Sequence, residues 1–111
     1  MASGDRVEAR LCAPTQLGTS TTTLFTVASG HTYVAKQIII TNTDTVDRTV
    51  TLAVGSAATA ANRIMSALPI GANDMIVLDT ALVLLTTETL QGLSDTASKV
   101  NVTVVGWDKT N

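Results

Sequence analysis

The chain holds 111 residues, enough for one domain with one modest core and too few for two. Hydrophobic residues make up 45% of it and charged residues only 14%, where an average soluble domain has roughly 25% charged. Its net charge of −2, with seven Lys and Arg set singly and only Phe25, Tyr33 and Trp107 as aromatics, excludes the clustered cations and stacking rings of a nucleic-acid groove.

Threonine takes the place of charge on the surface. Twenty of the 111 residues are Thr, and a β-branched hydroxyl suits the exposed face of a pleated strand. Cys12 is the only cysteine, so no intrachain disulfide supports the fold and no oxidising compartment is implied. No apolar run approaches the ~20 residues of a membrane helix, because Ile76 to Leu85 is broken by Asp79 and Thr80. Charge also fills Met1 to Arg10, where a secretory signal would carry its apolar stretch. The expectation is a soluble protein that engages neither membrane nor nucleic acid.

Residues 1–22 read as an extended N-terminal arm, mixed in charge and without sustained period. Val7 and Leu11 lie four apart and would share a stripe on a short helix that Pro14 ends. Residues 23–111 read as a β-sandwich domain. Thr23 to Ala28 is its first strand, with Ser29, Gly30 and His31 as the turn, and Thr32 to Thr41 is the second. The run Ile38-Ile39-Ile40 indicates burial on both faces or a bulge. Asn42 to Asp47 is rich in turn formers and reads as a hairpin loop. Arg48 to Val54 alternates as a half-buried strand, with Val50, Leu52 and Val54 on one face.

Gly55 to Asn62 is a helical turn or loop too short for a stable helix. Arg63 to Leu68 follows as a short strand, then Pro69, Gly71 and Asn73-Asp74 as a turn. Met75 to Leu78 and Ala81 to Leu85 are two apolar runs parted by Asp79-Thr80, and Thr89 to Leu93 precedes a turn over Ser94 to Ser98. Lys99 to Trp107 closes the chain, with Val100, Val102 and Val104 on one face and Asn101, Thr103 and Val105 on the other. The sum is an all-β protein: an antiparallel, jelly-roll-like β-sandwich of seven or eight strands.

Catalytic chemistry finds little purchase. The single histidine, His31, reads as a solvated turn residue, and no signature surrounds Cys12 that would make the two a nucleophile and its base. Two Cys and His residues cannot supply the four ligands of a structural zinc, and Asp44 with Asp47 falls short of a calcium loop. Asp79 and Glu88 are the closest approach to a glycosidase pair, without the aromatic platforms such sites use. No Gly-rich phosphate loop occurs. The expectation is a protein with no catalytic, cofactor or metal site.

Strand faces rich in Thr, Ala and Val leave few charges to repel a neighbour, and Lys36, Arg48, Arg63 and Lys99 are the only basic residues between arm and last strand. Self-association follows, with a trimer favoured, and Val7, Leu11, Phe25 and Trp107 are its candidate interface residues. Trp107 itself reads first as a plug for one end of the core and second as an interface anchor.

The stretch Leu24-Phe25-Thr26-Val27-Ala28-Ser29-Gly30-His31-Thr32, followed by Lys36-Gln37-Ile38-Ile39-Ile40-Thr41-Asn42-Thr43, resembles the opening of small virion proteins of tailed bacteriophages. Pieces at Thr49 to Val54, Ala61 to Ile64, Val77 to Asp79, Leu82 to Leu84 and Val100 to Gly106 extend it across Leu24 to Trp107. Ala28 stands where that family has proline, and Thr86-Thr87-Glu88 where it has a glycine-aspartate turn. The resemblance implies a non-enzymatic accessory protein located in the virion and made in the host cytoplasm. It would dock on other virion proteins of the particle exterior, as a capsid decoration or minor tail protein. A carbohydrate-binding module for host attachment is the alternative, with Asn42 to Asp47 as its best loop.

Overall fold

The computed structural model describes residues 6–55 and 62–110. Eight strands run in chain order: β1 Arg6–Gln16, β2 Thr22–Thr26, β3 His31–Asn42, β4 Arg48–Val54, β5 Arg63–Ile70, β6 Met75–Leu84, β7 Thr89–Ser94 and β8 Val100–Thr110. There is no helix among the described residues.

The strands form two four-stranded antiparallel sheets, in the orders β1-β8-β3-β6 and β2-β7-β4-β5. Four ladders pair the chain's first strand with its last and so inward, β1 with β8, β2 with β7, β3 with β6 and β4 with β5. That is one long hairpin rolled up, with β3–β8 and β4–β7 ladders sealing the roll. The connectivity is that of an eight-stranded jelly roll, as the sequence suggested. Only β4 and β5 are joined within one sheet, so nearly every loop crosses between layers.

Alternation builds the core. Val100, Val102 and Val104 point inward from β8, as read from the sequence, and meet Leu52, Val50 and Leu90 from the opposite sheet, all fully buried. Ile38 and Ile40 are buried while Ile39 is half-buried on the other face; the register slips just before them, between Ala35 and Gln37.

Four sequence expectations need correction. Residues 6–16 of the supposed arm are a strand of the first sheet, bonded to β8 from Arg6 to Gln16, and Val7 and Leu11 therefore share no helical stripe. An edge strand with one neighbour needs no strict hydrophobic period, and register slips after Arg10 and Cys12 accommodate Pro14. Asn42 to Asp47 is a crossover between sheets and not a hairpin loop. Arg48 to Val54 has the expected bounds but is buried on both faces: Thr51 and Ala53 are as hidden as Val50 and Leu52. Part of the reason is β5, which bulges over Thr51 at left-handed Ala67 so that the Ala67 N–H donates to Thr51 Oγ1 at 3.0 Å. Finally, Asp79-Thr80 interrupts no strand; β6 runs through it, and the register slip against β3 falls there. The helical turn or loop expected within Gly55 to Asn62 lies at 56–61 outside the described residues.

Candidate assembly face and edge

A sheet of four strands has two edges, so the roll presents four: β1 and β2 along one side, β5 and β6 along the other. Unpaired edge backbone is a template for another chain unless something blunts it. On β1 the guards are Arg6, Glu8 and Arg10, then Pro14 and two register slips. Strand β2 is only five residues long, and β5 carries Arg63, Pro69 and the kink at Ala67. Strand β6 is ten residues long with Asp79 as its single charge and no proline.

The faces of β6 sharpen the contrast. Outward-pointing Met75, Val77 and Val83 are 54%, 40% and 53% exposed, and Leu85 just beyond the strand is 58% exposed. Four of the large exposed apolar side chains thus line one edge. Inward, Leu78 and Leu82 face Met65 and Leu68 of β5 across a cleft of about 490 Å³ that opens between the sheets along this side.

The outer face of the first sheet carries a second feature, a groove of about 660 Å³ crossing all four strands. Glu8 and Arg10 of β1 stand at one end, and Asp79 and Thr80 of β6 at the other, with Trp107 and Gln37 between. The register explains the row: Arg10 pairs with Val105, Val105 with Gln37, and Gln37 with Asp79. Gln37 Nε2 also donates to Asp79 Oδ1 at 3.1 Å.

Trp107 belongs to this groove and does not plug the core. It has the opposite parity to Val100, Val102 and Val104, so it points outward, half-buried, with the Arg6 guanidinium 5.5 Å and the Lys36 ammonium 5.3 Å from its ring centroid. Of the other candidate interface residues, Val7 is 45% exposed, whereas Leu11 and Phe25 pack partly against the core, Phe25 with its centroid 5.8 Å from that of Tyr33.

His31 is not a free turn residue. It opens β3 with Nδ1 2.6 Å from Asp108 Oδ1, both side chains about three-quarters covered, and Tyr33 lies edge-on to the ring. Nothing in the sequence joins positions 77 residues apart, so the contact was not legible there. Cys12 pairs across β8 with Val104 and His31 with Thr110, about 20 Å apart along that strand, so the two form no dyad. Cys12 Sγ instead contacts Ala13 O, Thr15 Oγ1 and Leu24 O.

The Asn42 to Asp47 loop spends its polar groups on itself and on the neighbouring residues 70–72. Buried Asn42 donates through Nδ2 to Val46 O, Ile70 O and Gly71 O and accepts from the Asp44 N–H. Asp44 accepts from Arg48 Nε at 2.8 Å and from the Thr45 N–H; the guanidinium first, and that N–H second, hold its carboxyl below the usual carboxylate value. Asp47 accepts from the Ala72 N–H. Among the described residues no group of three or more His, Cys, Asp or Glu gathers as a metal site, and no helix is long and apolar enough to cross a membrane.

No protein-family model matches the chain, and no curated protein matches it significantly. Among solved structures it is similar to a protein of Bacillus endospore appendages, described as a novel family of disulfide-linked pili. The two share 12% identity over 98% of this chain and 91% of that one, with a TM-score of 0.57. A chain in the structure of infectious bursal disease virus Gx strain is similar at 11% identity over 94% of this chain and 30% of that one, with a TM-score of 0.45. The appendage protein shares the fold.

Proposed function

We propose that this chain is a non-enzymatic structural protein that self-associates on the exterior of a larger particle, the virion of a tailed phage, as a capsid decoration or minor tail protein. The observation that carries the reading is β6, a long edge strand with an apolar outward row and one charge, beside three edges that are blunted. A monomer gains nothing from such an edge and is exposed to aggregation by it; a building block uses it. The appendage protein with this fold is described as forming pili, which supports the use of this roll as a building block. The phage assignment rests on the strand-and-turn resemblance from Leu24 to Trp107.

A contact between unlike edges closes no two-fold dimer, and its smallest ring is the trimer. Sedimentation velocity over a wide concentration range tests the association: a species of three chains is the expected result, and 11.5 kDa at every concentration rejects it. Electron microscopy of particles with and without the protein tests the location, and identical density on head and tail rejects a place on the virion.

A further inference from the structure

The self-association proposed above names no partner edge, and the register supplies one. On the outer face of the first sheet, the row Arg10–Val105–Gln37–Asp79 begins with a cation at the β1 edge and ends with an anion at the β6 edge. Arg10 and Asp79 are both exposed. Because the strands alternate in direction, β1 and β6 run opposite ways. A second copy turned about an axis along the strands, as in a ring of three, keeps its strand directions and therefore meets β6 with an antiparallel β1.

We infer that the occupant of the β6 edge is the Arg6–Arg10 half of β1 from a second copy of this chain, in the register that extends the rows of the sheet. In that register Asp79 faces the second copy's Arg10, and the groove becomes continuous from one copy to the next. The inward rows agree with the outward one. Val7 is level with Asp108, Tyr33 and Leu84, and Ala9 with Gly106, Ala35 and Leu82. The exposed Val7 of the second copy thus comes down beside Leu82 and Leu84, at the mouth of the apolar cleft between β5 and β6.

Charge decides against the competing arrangement. Pairing β6 with its own copy around a two-fold axis brings Asp79 toward Asp79 and leaves Arg10 unused, whereas pairing with β1 matches opposite charges. Of the guards on β1, Pro14 and both register slips lie beyond Arg10, Arg10 becomes the partner of Asp79, and Glu8, level with Trp107, Val34 and Val83, stays on the outer face where its charge remains in water.

Charge reversal tests the pairing. Asp79→Arg alone and Arg10→Asp alone each weaken association at least about tenfold by sedimentation velocity, while the double variant returns to near the wild-type affinity. Far-UV circular dichroism and the urea midpoint confirm that each variant folds. Should a reversal disturb its strand, Asp79→Asn and Arg10→Gln replace it, each weakening association more at low salt than at high. Wild-type assembly that both single variants leave intact, or a double variant no better than either single, overturns the β6–β1 pairing while the self-association reading stands. A wild-type chain that never associates sinks that reading, and the pairing with it.

Discussion

Asn42 illustrates how a buried amide can hold two loops. Its side chain reaches three carbonyls on Val46, Ile70 and Gly71 and one N–H on Asp44, tying the β3–β4 crossover to the end of β5. Asn42→Ala leaves those groups without partners in a buried site and is expected to cost about 3 kcal/mol, read from urea unfolding. Asp44 makes a prediction in pH. Arg48, and then the Thr45 N–H, favour its ionised form on folding. A carboxylate depressed in this way contributes stability that is complete above its unfolded value and is lost as the pH falls through the folded one. Asp44→Asn should therefore flatten the loss of stability below pH 3.8 and leave its variation near neutrality unchanged, as urea midpoints across the acid range would record. Gly106 lies where β8 passes the register slip in β3. A Cβ there would collide with the Val34 carbonyl oxygen and come within 2.9 Å of the Lys36 N. Both are backbone atoms and cannot swing away, so Gly106→Ala is expected to fall at the upper end of the ~1–3 kcal/mol range for overpacking.

At the scale of elements, strands buried by their own alternation were legible and those placed by their neighbours were not. Arg48 to Val54 could be bounded from its residues because turn formers flank a clean period, yet its second buried face depends on β5 folding over Thr51. Strand β1 was hidden because charged residues and Pro14 obscure a period that pairing with one neighbour never required. Trp107 was within reach: three inward valines at even positions already send an odd one outward. The outward row of β6 was likewise in plain sight as Met75, Val77 and Val83, but that β6 is an edge is a fact of topology. Val83→Lys supplies the gatekeeper this edge lacks. It is expected to lower the associated fraction in light scattering and to change the unfolding free energy by no more than ~0.5 kcal/mol, as for other exposed sites.

At the scale of the whole molecule, the described residues form a slab of 47 × 25 × 19 Å in which the first strand is bonded to the last. An arm can be removed from a domain, but this strand cannot be removed without stripping β8 of half its ladder and uncovering the side of Val102 and Val104. Truncation of residues 1–22 should consequently abolish cooperative unfolding in urea, where an appended arm would leave the midpoint in place. The same closure has a chemical consequence for anything the chain builds. Its single thiol lies 4% exposed beneath the first sheet, turned toward Leu24 O, out of reach of a sulfur on another subunit. One cysteine per chain could in any case join chains only in pairs. Where the appendage protein of the same fold is described as disulfide-linked, the proposed assembly of this chain would be held by reversible contacts alone, dissolving in denaturant without dithiothreitol and reassembling on its removal.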